Sequence, residues 1–432
     1  MKQGEANKLL DGFKRAFAQE RITALGRSTG FMKRERKMTP MKMVMSLMSC
    51  FAGGQSTTLA DIQRSYNALS VDSIAYKPFH NQLAKRSFGN FMREVATHVL
   101  SALVVEVLKP GPAGQLSEFG RVLIQDGSSF AVHSGLRREY PGRFTAVSPA
   151  AVELHVTWDL CREQIEQVML TPDTFTERAE LPVAASLRGD LLLADCGYFD
   201  RAYLREVSRH GGQFVVRAQR GINPVIEAVY SGARGAKVIG HKLKDVVRHL
   251  SKDHPNDMTV SWTVNGESFT CRLVSLWDPQ SRHFTHLVTN LPVARYDAFA
   301  VGQVYKLRWQ IELLFKEWKS HANLRAFSTA NASIVEGLIW AAIVVAAVKR
   351  YLAHSVQIVA EVATSTLRTA KCAWQIIPGL VEALLAKALQ RLRAAFMRAL
   401  EYLAVNALRA HPKRDRRSGR LATGLRLVFE MA

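Results

Sequence analysis

Tyr305, Arg308, Glu312, Lys316 and Lys319 follow one another at intervals of three, four, four and three residues. On a helix turning about 100° per residue, these side chains share a wedge of about 80°. Val304, Leu307, Ile311, Leu314, Phe315 and Trp318 fall in a neighbouring wedge of about 100°. One stripe anchors the helix to a core. The other presents one carboxylate among three cations and a phenol. A carboxylate alone repels a phosphate, whereas one holding Mg2+ and flanked by Arg and Lys attracts it. A solvated helix with a Glu312–Lys316 pair accounts for two of these residues and leaves Tyr305 and Arg308 unexplained.

Glu312 needs partners to hold a metal. Asp126 follows the apolar run Val122-Leu123-Ile124 after Gln125, and Asp195 follows Leu191-Leu192-Leu193-Ala194. Strand ends are where α/β folds present functional side chains, although Asp126-Gly127 is also a turn signal. Metal-dependent phosphoryl transfer uses several oxygen ligands and two ions about 4 Å apart. Asp126 and Asp195 on two strand ends and Glu312 on one helix could build such a site, provided that the fold brings them together.

The elements that must do so are legible in outline. Residues 1–110 read as helical, with apolar residues at helical spacing in 9–17, 41–48 and 91–108. Between them, a helix over 59–69, a break at 70–73 and a second helix ending in Gln82-Leu83-Ala84-Lys85-Arg86 suggest a helix-turn-helix or an ordinary helical hairpin. Pro110-Gly111-Pro112-Ala113-Gly114 reads as a linker. Strands are expected at 122–124, 152–158, 165–170, 191–194 and 214–216, the second and third by apolar–polar alternation, and a helix at 202–209. Residues 221–291 look like a β-rich insertion, because Asn265-Gly266 between two strand-like runs is a two-residue hairpin turn. A third strand is expected at 284–289. A long helix over 297–321 and a buried helix around 339–348 follow. The chain is then helical to 408, with a basic tail at 411–420. The fold class is α/β, with N-terminal and C-terminal helical regions flanking the core. The expected divisions are 1–110, 115–220, 221–291, 292–350 and 351–432.

Composition narrows the partners. Lys and Arg number 58 against 37 Asp and Glu, a net charge of +21. Such an excess favours a polyanion, and nucleic acid first. Residues 1–20 carry no apolar h-region. The apolar run 337–348 is too short to span a bilayer, so no membrane partner is expected. The five cysteines, Cys50, Cys161, Cys196, Cys271 and Cys372, are too scattered for a zinc site and suit a reducing cytoplasm.

The spacing Tyr305-x2-Arg308-x3-Glu312-x6-Lys319 resembles the tyrosine–arginine–glutamate–lysine signature of bacterial insertion-sequence transposases of the DDE type, insertion-sequence family four. The segments Leu123–Gly127, Leu192–Tyr198 and Leu287–Pro292 resemble that family around its two catalytic Asp residues and at the return from its β insertion. The resemblance spans about residues 115–350. It implies an RNase H-like catalytic core, an N-terminal domain for terminal inverted repeats, and Asp126, Asp195 and Glu312 as ligands of two Mg2+ ions, with Mn2+ as a substitute. It also implies phosphate contacts from Tyr305, Arg308 and Lys319, with Lys316 as an addition. The partners it implies are double-stranded DNA, both element ends and target, and a second subunit in a homodimeric synaptic complex. The expected location is the cytoplasm, at the nucleoid when bound to DNA. The tryptophan that takes up a flipped base in family members has no counterpart here, where the chain reads His283-Phe284-Thr285; Phe284 or Trp277 are the candidates to stack in its place. The expected activity is cleavage at transposon ends and strand transfer into target DNA. Two alternatives are a metal-dependent nuclease that cuts without joining and a non-catalytic DNA-binding protein derived from a transposase.

Overall fold

The computed structural model describes residues 2–34, 37–53, 58–70, 72–104, 116–162, 164–321 and 328–410. The expected linker at 110–114 and the basic tail at 411–420 lie outside the described residues.

Among the described residues, six helices come first: α1 (Gln3–Ala16), α2 (Gln19–Ser28), α3 (Pro40–Ala52), α4 (Leu59–Ala68), α5 (Tyr76–Leu83) and α6 (Arg86–Ala102). Their starts follow side-chain chemistry. Thr39 caps α3 ahead of Pro40, and Thr58 and Asp61 form a capping box on α4. The helical hairpin of 59–86 is α4 and α5, but α5 ends at Leu83 and Arg86 already opens α6. Phe79 and Leu83 are its buried anchors.

The strands form one nine-stranded sheet in the order β3-β2-β1-β4-β5-β9-β8-β7-β6. They are β1 (Val122–Ala131), β2 (Ala151–Asp159), β3 (Gln164–Pro172), β4 (Leu191–Ala194), β5 (Gln213–Arg217), β6 (Val225–Ser231), β7 (Asn256–Val264), β8 (Glu267–Asp278) and β9 (His283–Thr289). Helix α7 (Arg201–Arg209) lies between β4 and β5, and α8 (Leu243–Val246) between β6 and β7. The first three strands form an antiparallel meander, and β4 and β5 run parallel to β1. The strands of 221–291 continue this sheet, because β9 returns antiparallel to β5. The hairpin turn falls where expected, with positive φ at Asn265 (51°) and Gly266 (81°), as a type I′ turn requires.

Side-chain alternation gives the sheet two buried faces. Ile124, Leu154, Val156, Leu191, Leu193 and Val215 pack with the helical layer. Leu123, Leu192, Ala194, Phe214 and Val216 pack with Leu204 and Val207 of α7. The alternation read in 152–158 does not mean a half-exposed strand: every residue of β2 is buried. Its polar positions Glu153, His155, Thr157 and Asp159 instead line an internal polar layer.

The long helix expected over 297–321 is two helices, α9 (Ala298–Lys306) and α10 (Gln310–His321), joined by a 3-10 turn at Leu307–Trp309. The last helices among the described residues are α11 (Ala332–Ala360), α12 (Thr366–Leu385) and α13 (Leu389–Asn406). Helix α11 is long and apolar enough to cross a bilayer, but 72% of its most apolar window is buried inside the fold. It packs against α6, α3, α12 and α13. Its one buried lysine, Lys349, donates to the Phe51 carbonyl at 3.0 Å.

Candidate active site

Strand register brings the two aspartates together. Ile124 of β1 pairs with Leu193 of β4, and Gln125 with Ala194. Both apolar residues face the helical layer. Two residues on, with the period-2 alternation of a strand, come Asp126 and Asp195 on that same face. The expectation that Asp126 ends a strand is corrected here. It lies inside β1, which continues to Ala131 because its far edge stays paired with β2. What ends at Gln125 is the parallel ladder to β4, and that opening leaves room above both carboxylates.

Helix α10 closes the space from the helical side. Asp297 caps α9 through Ala300 N at 2.7 Å, and Ile311, Leu314, Phe315 and Trp318 are the buried stripe of α10. The opposite stripe reaches the strands. A cleft of about 420 Å3 is lined by Asp126, Asp195, Arg308, Glu312, Lys316 and Lys319, among others. The three acidic residues and the two lysines are thus gathered in one place. Lys316 is exposed at the rim, and Lys319 Nζ donates to the Ser129 carbonyl at 2.7 Å.

The remaining two signature residues point inward. Tyr305 donates its hydroxyl to Asp195 Oδ1 at 3.1 Å. Arg308 Nη1 donates to Asp126 Oδ2, and Nη2 donates to Glu312 Oε1 at 3.2 Å. One guanidinium therefore bridges two of the carboxylates, and its side chain is 8% exposed. Burial lifts the Asp126 carboxyl to about 6, an effect that Arg308 only partly offsets. Burial also pushes the Tyr305 phenol up, reinforced by Asp195. Burial opposes the Arg308 charge, but Asp126 and its neighbours outweigh it and the guanidinium stays protonated.

One residue of this site escaped the sequence reading. Arg217 Nε donates to Asp195 Oδ1 at 2.6 Å and Nη2 to Oδ2 at 2.9 Å. The register places it: Leu193 pairs with Val215, so Arg217 stands beside Asp195 as Asp195 stands beside Asp126.

Behind the site, on the other face of the sheet, lies a second acidic group. Glu153 is 4% exposed, 3.4 Å from Arg143, which also approaches Glu177 at 3.6 Å. His155 is held between the Tyr198 hydroxyl and Thr171 Oγ1, both at 2.9 Å. Burial raises the Glu153 carboxyl to about 7, with Glu177, Asp173 and Asp126 adding to the rise and Arg143 opposing it. The fold thus favours its protonated form. That contribution is complete below the ordinary carboxylate pKa and is lost as pH rises through about 7. Relative to wild type, Glu153→Gln should gain on the order of 3 kcal/mol between pH 5 and pH 8. Urea denaturation at the two pH values measures this, and a pH-independent difference would contradict it.

The two candidate stacking residues meet each other. Trp277 and Phe284 are paired across β8 and β9 with ring centroids 4.9 Å apart. Lys252 Nζ lies 4.5 Å from the Trp277 ring.

The cleft thus combines three carboxylates with cations at its rim, on a mixed α/β sheet. Residues 117–347, more than half of the chain, match the family described as Transposase DDE domain. The protein belongs to that family and is a DNA transposase. It is 22% identical over 371 residues to the transposase for insertion sequence element IS231F of Bacillus thuringiensis subsp. israelensis, covering 77% of each chain. It is 21% identical over 350 residues to the transposase for insertion sequence element IS1151 of Clostridium perfringens, covering 72% of this chain and 73% of that one. Among solved structures, a cryo-EM structure of a piggyBac transposase synaptic complex with hairpin DNA aligns over 95% of this chain and 89% of that one, with a TM-score of 0.47 at 12% identity.

Proposed function

We propose that Asp126, Asp195 and Glu312 hold the divalent metal ions with which this transposase cuts element ends and joins them to target DNA. The observation that carries this reading is the register that sets Asp126 beside Asp195 on the face covered by Glu312. The donor set fits: three carboxylates are the hard oxygen ligands that Mg2+ takes, and Mn2+ accepts them too. Bound there as a pair, the ions would activate the attacking oxygen and stabilise the leaving one.

The protein's own side chains then have separate tasks. Asp126 is ionised above about pH 6 and so ready to act as a ligand at neutral pH. The Tyr305 hydroxyl and the Arg217 guanidinium fix the rotamer of Asp195. Lys316 and Lys319 flank the cleft, where they would neutralise non-bridging phosphate oxygens, and Arg308 would join them once turned outward. Phe315 backs the cleft with an apolar wall.

In this reading the order β3-β2-β1-β4-β5, antiparallel then parallel, is an RNase H-like core. Residues 221–291 are its insertion, and the signature is that of insertion-sequence family four. The N-terminal helices would engage the terminal inverted repeats, and a homodimer would hold two ends together. The purified protein, given Mg2+ and a duplex carrying the element's end, should nick that end and join it to a target duplex. Nicks without joined products would leave a nuclease, and binding without nicks would leave a non-catalytic DNA-binding protein.

A further inference from the structure

The guanidinium that ties the cleft together also obstructs it. Arg308 takes one oxygen of Asp126 and one of Glu312. A lone pair that accepts a hydrogen bond from a guanidinium is not free to ligate an ion, and whereas Arg217 grips Asp195 alone, Arg308 bridges two carboxylates across the space an ion would fill. A divalent cation and a buried guanidinium also repel strongly at contact distance in a weakly screened site. Among the described residues, no three Asp, Glu, His or Cys side chains stand close enough to hold one ion together. Arg308 lies between two of the three that would have to converge.

The inward position of Arg308 is also incompletely satisfied. Its Nε is buried with no hydrogen-bond partner, and a buried unpaired donor is costly. The 3-10 turn at Leu307–Trp309 places this residue between two helices rather than inside one. A DNA phosphate offers several anionic oxygens in the fork geometry that a guanidinium matches.

We propose that Arg308 is an internal competitor for the metal: it occupies Asp126 and Glu312 until a DNA phosphate draws it away, so that DNA and metal load the site together. This inference rests on the reading of Asp126 and Glu312 as metal ligands. It makes the two binding events positively coupled, and the coupling is reciprocal: a bound DNA end tightens the metal by the factor by which the metal tightens the DNA. Without DNA, the carboxylates stay neutralised by the protein's own cation and stray cleavage is restrained.

The test is Mn2+ affinity, read as free Mn2+ by electron paramagnetic resonance, with and without a duplex carrying the element's end. Arg308→Ala should bind Mn2+ at least about tenfold more tightly than wild type without DNA, and the DNA-induced gain seen in wild type should largely vanish. Arg308→Lys separates this from a plain loss of positive charge. Lysine keeps the charge but cannot bridge two carboxylates with a planar fork, so it should resemble Arg308→Ala more than wild type. Wild-type Mn2+ affinity in Arg308→Lys, or an unchanged DNA-induced gain in Arg308→Ala, would overturn the proposal. Asp126→Asn is the control on the underlying reading. If it binds Mn2+ as wild type does with the duplex present, the metal assignment itself fails. If it loses Mn2+ while Arg308→Ala gains nothing, only the competition fails.

Discussion

Asp126→Asn, Asp195→Asn and Glu312→Gln should each reduce Mg2+-dependent nicking of an element end by at least about 10^3-fold, equivalent to about 4 kcal/mol of transition-state stabilisation. Each change preserves shape and removes one negative charge, so the loss isolates the ligand. Binding of the element's end should survive, because the charge that attracts DNA is spread over a chain of net charge +21. Gel-shift affinity at fixed salt checks binding, and initial nicking rate checks chemistry. Near-wild-type nicking by any one variant would remove that residue from the reaction centre. The three need not be equal. Asp126 lies within β1 and Asp195 directly follows β4, whereas the Glu312 side chain is 42% exposed on its helix and has more freedom to be replaced by water.

The second large effect is on stability. Arg272 is 4% exposed and Asp257 is 3% exposed. Their fork is complete, with Nε to Oδ1 at 2.7 Å and Nη2 to Oδ2 at 2.6 Å. Arg272 Nη1 also donates to the carbonyls of Leu291 and Tyr296, at 3.2 and 2.7 Å. This residue therefore ties β7 and β8 to the turn that leads into α9, the helix carrying Tyr305. Arg272→Met should cost about 3–5 kcal/mol, because it leaves a buried carboxylate without its partner. The double variant Arg272→Met with Asp257→Leu should cost less than the single change, since no charge is then stranded. Urea unfolding midpoints decide this. A loss below about 1 kcal/mol in the single variant would mean that the pair contributes little.

Much of this arrangement could be read from the residues. The stripe of Tyr305, Arg308, Glu312, Lys316 and Lys319 lines or abuts one cleft because helical periodicity survives the 3-10 turn. The turn itself has no signal in Leu307-Arg308-Trp309, which are ordinary helix formers. The apolar runs before Asp126 and Asp195 marked their strands. The length of β1 was hidden because Gln125 to Ser129 is polar, and only pairing with the fully buried β2 shows that the strand continues. The alternation read in 152–158 likewise gives no sign that Glu153 and His155 are buried. The inward turn of Arg308 could not be read at all. Residue type shows that a guanidinium can bind either a phosphate or a carboxylate, and only the fold puts two carboxylates within its reach. Arg217 was missed because a single Arg after a short apolar run is unremarkable until the register of β4 and β5 sets it beside Asp195.

Crystals of the protein bound to a duplex with the element's end and soaked in Mn2+ would test the central claim most directly, through anomalous scattering. The expected result is manganese density ligated by Asp126, Asp195 and Glu312, with Arg308 turned onto a DNA phosphate. Manganese bound at other side chains, with Asp126 and Glu312 still held by Arg308, would contradict the account.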